Sequence, residues 1–277
     1  MWFAYALISA VLYSSMWLFA RASRGLPSGV VTALFSIWSP FLLFYVAKQV
    51  DFPWQEQWWQ LYLVLAFIIM PITLRMMTYA CQRAPVTVVN PLASLSTFST
   101  LAIASVFFAK SFSSIHIVGM VTITLGLFFL YHGQWIEWRK PWPWLVLGGV
   151  MILGLNVAVL KEVLERFPHP IALMAFAGVG NFAVNSVLAG KSWFSFTWTS
   201  SIVLLLAAFA LADVSQNVFT FLALSVGPAP HVVAVKRTSI LFAAIGGYFI
   251  FKEKDQSLVR LIISCVIVAI GVALLNV

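Results

Sequence analysis

The stretch that decides the fold is ACQRAPVTVVNPLASLSTFSTLAIASVFFAK, residues 80–110, because its pattern occurs again later in the chain. Laid without a gap over ALSVGPAPHVVAVKRTSILFAAIGGYFIFKE, residues 223–253, it aligns Pro85 with Pro228 at a shift of 143 residues. Each copy is a turn that contains a proline, followed by an apolar run that ends near a lysine. A repeat at about half the chain length predicts two structurally related halves.

Two further matches support the repeat. FARASRGLPSGVVTALFSIWSPF, residues 19–41, lies over LKEVLERFPHPIALMAFAGVGNF, residues 160–182, with Pro27 on Pro168. Small residues also recur seven apart near the end of each half, and such a stripe favours close helix contact. These small residues are Gly119 and Gly126 in the first half and Ser264 and Gly271 in the second. We therefore expect residues 1–140 and 141–277 to be two repeats of one design.

The composition is that of a membrane protein. Of the 277 residues, 62% are hydrophobic and 9% are charged, and the mean hydropathy is +0.99. In a soluble domain about a quarter of the residues are charged, and no domain-sized segment of this chain reaches that fraction. The composition predicts a polytopic integral membrane protein without a separate soluble domain.

Polar and turn-forming residues divide the chain into ten apolar runs. Runs one to ten cover approximately residues 2–20, 28–47, 59–81, 86–108, 114–132, 143–160, 169–189, 200–224, 230–251 and 257–276. Each can cross a bilayer, because about 20 helical residues span the ~30 Å hydrocarbon layer. Five runs per half is an odd number, so the second half enters the membrane from the opposite side. The sequence predicts an all-α protein with ten transmembrane helices in a 5+5 inverted repeat, an architecture of alternating-access transporters.

Four charged residues lie deep inside these runs: Arg75 in run three, Asp213 in run eight, and Lys236 and Arg237 in run nine. Each costs about 2.5 to 3.5 kcal/mol at the centre of a transmembrane helix, so such residues usually face a wet cavity or a countercharge. We interpret them as substrate-binding residues that favour an anionic or zwitterionic substrate. Two alternatives stay open for Lys236 and Arg237, namely snorkelling to the membrane surface and a purely structural pairing with Asp213.

Neutral polar residues at helical spacing extend this candidate site. They are Asn90, Ser94 and Thr97 on run four, Asn181 and Asn185 on run seven, and Gln216 and Asn217 on run eight. Hydrogen bonds between helices would explain any one of them. The set as a whole favours the lining of a cavity.

Enzymatic and nucleic-acid functions find no support in the sequence. It contains no paired-carboxylate site, HExxH, nucleophile elbow or Walker loop, and Cys81 and Cys265 lack metal-ligand spacing. The net charge of +8 comes mostly from connectors between runs, where basic residues set membrane topology. We expect no catalytic residues, no cofactor or metal, and no binding of nucleic acid. The expected partners are a small-molecule substrate and the lipid bilayer. The protein is expected to be a monomer or a homodimer.

Short motifs recur at matching places in the two halves. GLP and FPHP turns follow runs one and six, proline turns precede runs four and nine, and FFAK and IFKE close those runs. This arrangement resembles the EamA-like branch of the drug/metabolite transporter superfamily. The resemblance implies a secondary carrier in the bacterial inner membrane, with runs five and ten used for packing and the others lining a cavity. It also likens Lys236 and Arg237 to the Lys-Arg pair with which plastid phosphate translocators hold phosphate.

The chain departs from this family at the end of run four, where the usual Gly-Glu is Ala109-Lys110. The resemblance also leaves two other functions to be tested. A non-transporting scaffold or lipid-binding subunit would explain the packing but not the charges inside the runs. A membrane-embedded transferase would need a polar cluster at an interface, for which Glu162, Glu165 and His169 are the only hint.

The distribution of basic residues predicts the orientation in the membrane, where connector n follows run n. The odd-numbered connectors carry nine, namely Arg21, Arg24, Arg83, Arg139, Lys140, Lys191, Lys252, Lys254 and Arg260. The tails and even-numbered connectors carry four, namely Lys48, Lys110, Lys161 and Arg166. The positive-inside rule therefore places both termini outside the cytoplasm, whereas the family resemblance implies both termini inside.

Overall fold

We describe the fold from a computed structural model, for residues 1–84, 89, 92–130, 138–195, 197–250 and 258–275. These residues form helices, and no strand occurs among them. The α-helices are α1 Trp2–Ala22, α2 Ser28–Leu34, α3 Ser39–Val46, α4 Gln57–Val64, α5 Met70–Arg83, α6 Ser96–Phe108, α7 Ser114–Leu130, α8 Pro141–Arg166, α9 Pro170–Ala189, α10 Ser200–Val226, α11 Ala229–Lys236, α12 Ser239–Ile250 and α13 Leu258–Leu274. A π-helical turn, Leu65–Ile69, joins α4 to α5, and a 3₁₀ turn, Gly190–Phe194, follows α9.

Many of these helices are long and apolar enough to cross a membrane. Among the described residues, six segments reach the necessary length: Trp2–Ala22, Ser28–Val46, Gln57–Arg83, Pro141–Arg166, Pro170–Phe194 and Ser200–Val226. Three shorter apolar helices accompany them, Leu92–Phe108, Ser114–Phe129 and Val259–Leu274. The prediction of an all-α, multi-pass membrane protein is confirmed, while the count of ten crossings stays a prediction.

Helix starts and ends follow local chemistry. Proline stands in the first turn of α8 and α9, where its missing N–H is not needed. Side chains cap two other helices: Glu56 Oε2 accepts from Trp59 N at 2.8 Å before α4, and Thr199 Oγ1 accepts from Ile202 N at 3.3 Å before α10. The apolar runs thus become helices at boundaries that the polar punctuation had indicated.

Helix α6 ends on Ala109, whose φ of 49° lies in the left-handed region. A residue with a Cβ costs about 1 to 2 kcal/mol in that conformation, whereas glycine adopts it freely. The glycine that the family usually has at this position is therefore explained by backbone geometry.

We expect Ala109→Gly to raise the free energy of unfolding by about 0.5 to 1 kcal/mol, after the greater flexibility of glycine in the unfolded chain is subtracted. Thermal unfolding of the detergent-solubilised protein would measure it. The matched control is Ala102→Gly in the middle of α6, which should lower stability by about 1 kcal/mol. A loss of stability in both variants would contradict the argument.

Helices α7 and α13 pack backbone against backbone. A Cβ built on Gly119 would lie 2.9 Å from the Gly271 carbonyl oxygen, and one built on Gly271 would lie 2.8 Å from the Gly119 oxygen. Any side chain at either position would separate the helices. The close helix contact that the small residues predict is confirmed, and it forms between runs five and ten.

Several runs are interrupted near their middle. Run two is divided into α2 and α3, and run nine into α11 and α12. Run three contains the π-helical turn, and run four has a turn at Leu95 before α6. Irregular backbone at membrane depth is tolerated where it is buried in protein or lines a cavity, so these interruptions indicate where a site can be built.

Contacts between helices connect the two halves of the chain. α1 packs along α10 and also meets α11 and α12, while α8 packs along α5 and α6. α9 contacts α2, α3 and α5. Each half therefore depends on the other for its buried surface.

The even-numbered connectors and the N-terminus gather on one face. Arg166 Nη1 lies 3.1 Å from Glu56 Oε1, joining connectors six and two. Lys110 of connector four lies 3.1 Å from Glu165 and 3.2 Å from Glu162, and these hydrogen bonds raise the pKa of Lys110 above its usual value. A second group of contacts, between Trp2, Gly227, His231 and Phe112, brings connector eight and the N-terminus to connector four.

Connectors one, three and seven meet on a different face. Gln82 Nε2 donates to the carbonyl oxygens of Ser23 at 3.3 Å and Leu26 at 3.2 Å, which fixes connector one against the end of α5. Leu26, Arg83 and Ser192 all border one open cavity there. Among the described residues, connectors one, three and seven are therefore grouped apart from connectors two, four, six and eight.

Candidate functional site

A cavity of about 170 Å³ lies among helices from both halves, next to the interrupted runs. That volume has room for about six water molecules, at ~30 Å³ each, or for a small organic molecule. Five of the residues predicted from sequence line it: Asn181, Asp213, Gln216, Asn217 and Lys236. Most of the remaining wall is apolar and includes methionines and aromatic rings, among them Met16, Met70, Met77, Met174, Phe35 and Phe209.

Asp213 is held in the cavity wall by three neutral donors. Its Oδ2 accepts from Trp38 Nε1 at 3.1 Å, and its Oδ1 accepts from Asn217 Nδ2 at 2.8 Å and Gln216 Nε2 at 3.4 Å. Trp38 reaches it from the interruption between α2 and α3. These donors orient the carboxylate, but they carry no charge that would neutralise it.

Lys236 is the last residue of α11, immediately before the interruption of run nine. Its Nζ donates to Thr220 Oγ1 at 2.9 Å and lies 4.4 Å from the centroid of the Tyr13 ring. Tyr13 and Thr220 both line the cavity. The ammonium group therefore lies in the cavity wall, and the cavity presents one base and one acid to its contents.

Arg237 occupies a different environment from its neighbour. Its side chain is 4% exposed, and it is not among the residues that line the cavity. Its Nη2 donates to Ser96 Oγ at 2.5 Å, and it also shares a hydrogen bond with the Tyr13 side chain. Arg237 therefore connects run nine to run four and to α1, behind the cavity wall.

The two asparagines of run seven join helices together. Asn181 Nδ2 donates to the Thr32 carbonyl oxygen and to Ser36 Oγ, both at 2.8 Å. Asn185 Nδ2 donates to the Pro71 carbonyl oxygen at 3.0 Å. Both serve as ties from α9 to runs two and three, and Asn181 also borders the cavity.

Three other predicted residues, Arg75, Ser94 and Thr97, lie away from the central cavity. Ser94 and Thr97 are buried on run four but do not border it. Arg75 borders the second cavity, on the face of connectors one, three and seven, and is not brought to Lys236. Asn90 lies outside the described residues.

Sequence reasoning missed Trp38 and Tyr13. Both lie in the middle of their runs, although tryptophan and tyrosine in membrane proteins concentrate at the interfaces. An aromatic residue with a hydrogen-bonding group at mid-membrane depth needs a polar partner. Their position in the middle of a run, away from the membrane interfaces, was the signal that could have identified them.

Residues 1–132 of this chain match the model of the EamA-like transporter family. A solved crystal structure of a protein that is 14% identical matches with a TM-score of 0.78, over 99% of this chain and 96% of that one. At this identity the likeness shows the fold alone. The comparison with curated proteins gives no match. The predicted resemblance is confirmed over residues 1–132, where this multi-pass membrane protein is similar to the EamA-like transporter family.

Proposed function

We propose that the protein is a secondary active transporter that carries a small organic metabolite across the bacterial inner membrane by alternating access. The observation that carries the proposal is the central cavity, where Asp213 and Lys236 lie in an otherwise largely apolar wall. Charged groups inside a membrane are costly and usually mark the pathway of a substrate or ion. The family match over residues 1–132 agrees with this function.

The two charges favour a zwitterionic substrate. Lys236 can pair with a carboxylate or phosphate group, and Asp213, whose hydrogen-bond partners are neutral, can pair with an ammonium group. A purely anionic substrate would have to approach Asp213 as well. The methionines and aromatic rings would accept an apolar body, since methionine adapts to irregular shapes.

The fold supports alternating access through a 5+5 inverted repeat of residues 1–140 and 141–277. At the shift of 143 residues, the turn at Leu95 in run four falls on Thr238, in the interruption of run nine. The contacts of α1 with runs eight and nine are repeated by those of α8 with runs three and four. The separate grouping of connectors one, three and seven from connectors two, four, six and eight agrees with successive crossings of the membrane.

Two energy sources are compatible with these residues. Asp213 is the acid in the cavity and could carry a proton in exchange for substrate. Exchange of one substrate molecule for another needs no such group. Uptake measured with and without an imposed pH gradient separates these two modes.

The test of transport is uptake into proteoliposomes that contain the purified protein. Counterflow with small zwitterions that have apolar bodies should show saturable uptake, absent from protein-free liposomes. Simple dicarboxylates and simple amines should be transported less well. If the folded protein moves none of these solutes under counterflow or an ion gradient, the transporter proposal fails and the scaffold alternative gains.

The positive-inside count gives a separate prediction of orientation. Because nine of the connector and tail cations lie in odd-numbered connectors and four elsewhere, both termini are expected outside the cytoplasm. Paired C-terminal fusions, one reporter active only in the cytoplasm and one only outside it, would measure this. A strong cytoplasmic signal alone would reject this orientation and favour the one implied by the family.

A further inference from the structure

A second cavity of about 740 Å³ opens on the face of connectors one, three and seven. Its wall combines connector one, the outer part of α5 and the 3₁₀ turn after α9. The Gln82 hydrogen bonds to Ser23 and Leu26 hold connector one in place. None of the residues that line this cavity is shared with the central one.

Two arginines project from one side of α5 into this cavity. Arg75 and Arg83 are eight residues apart, so they lie on one helix face about 12 Å apart along the axis. The Arg83 guanidinium carbon lies 3.5 Å from the centroid of the Tyr79 ring, which restricts its position. Arg75 is half-buried and lies so close to Gly29 that a Cβ there would be 3.3 Å from its guanidinium carbon.

The cavity holds these two cations without an acidic partner in its wall. Among the described residues that line it, none is an aspartate or glutamate. A cleft lined by one sign of charge with low-dielectric walls concentrates ions of the opposite sign. The planar guanidinium group suits carboxylate and phosphate oxygens in particular.

We infer that this second cavity is an anion-binding site, in which Arg75 and Arg83 bind a carboxylate or phosphate group. The site is separate from the central cavity, because the two cavities share no lining residue. The anionic group can come from a soluble ion or from the headgroup of a lipid at the membrane surface. Arg75 has the larger role because it is the more buried of the two cations.

The test uses the full-length protein in neutral detergent. Thermal unfolding is followed in inorganic phosphate and in succinate, with chloride used to keep the ionic strength constant. Both anions should raise the unfolding temperature, and Arg75→Gln and Arg83→Gln should weaken the apparent affinity about tenfold, as for the loss of one charge-assisted hydrogen bond. Arg24→Gln is the matched control, because Arg24 is exposed and does not line the cavity. It should change the affinity less than about twofold.

A second arm identifies the source of the anion. The protein is placed in nanodiscs of phosphatidylcholine with or without phosphatidylglycerol, and the same variants are compared. Stabilisation by phosphatidylglycerol that Arg75→Gln removes would support the site with a lipid headgroup as ligand, even if the soluble anions have no effect. If neither anions nor phosphatidylglycerol stabilise the protein, or if Arg24→Gln weakens binding as much as the cavity variants, the inference is overturned.

Two further variants separate this site from others and from folding. Lys236→Gln should leave the rise in unfolding temperature caused by phosphate unchanged. The proposal of an anion site can therefore be tested independently of the proposed transport function. Arg83 is exposed, so Arg83→Gln carries the test if Arg75→Gln does not fold. Arg75→Lys should keep part of the affinity, because it retains the charge but not the planar fork.

Discussion

Lys236→Gln is expected to reduce uptake into proteoliposomes by about ten- to a hundredfold, the equivalent of one hydrogen bond from a charged group to the substrate. The ammonium lies in the wall of the central cavity, between Thr220 and the Tyr13 ring. Glutamine can still donate to Thr220 Oγ1, so the unfolding temperature should change little. Transport per folded molecule, with protein quantified after size-exclusion chromatography, is the measurement.

The matched control for Lys236 is Lys191→Gln. Lys191 is exposed on the 3₁₀ turn after α9 and does not line the central cavity. Its replacement removes the same charge and should leave uptake unchanged. Normal transport by Lys236→Gln, or an equal loss in both variants, would show that Lys236 does not bind the substrate.

Arg237→Gln is expected to act on folding instead. Arg237 is 4% exposed, and its guanidinium donates to Ser96 Oγ at 2.5 Å, so its loss leaves buried polar groups unpaired at a cost of about 1 to 3 kcal/mol. Expression and unfolding temperature should fall, while the protein that remains folded should transport within a few-fold of wild type. A strong loss of transport at normal stability would instead place Arg237 on the substrate.

A double-mutant cycle with Ser96→Ala sharpens this distinction. If Arg237 and Ser96 stabilise the protein through their mutual hydrogen bond, the two losses of stability should not add. The matched control is Ser105→Ala, on the exposed side of the same helix α6, combined with Arg237→Gln. Those two losses should add, and equal additivity in both cycles would contradict a direct energetic contact.

The sequence predicted the broad fold because the relevant signals are strong and local. Composition identifies a membrane protein, and prolines and caps mark where many helices begin. The interruption of run nine was not predictable in this way, because the residues VKRTSI, 235–240, contain neither proline nor glycine. It is accompanied by tertiary contacts of Lys236 and Arg237, which are not written in local sequence.

The candidate site was predictable as a set of residues but not as a geometry. In a regular helix adjacent residues point about 100° apart, so the helical period directs Lys236 and Arg237 to different sides. The helical period alone could therefore have predicted different surroundings for these two side chains. For Arg75, the depth in the membrane could be predicted by counting residues along run three. The cavity that its side chain borders could not be predicted, because it depends on how the helices pack.

The ion pairs on the even-numbered face bear on how the proposed carrier would open and close. Lys110 stands where the family usually has an acid, and it contacts Glu162 and Glu165 of the other half, while Arg166 contacts Glu56. Exposed pairs of this kind are individually weak and are screened by salt. A carrier sealed by several weak bonds in water can separate them one at a time, so the barrier to opening this face is divided into small steps. Lys110 thus supplies the cation for ion pairs that hold the two halves together on this face but are weak enough to separate.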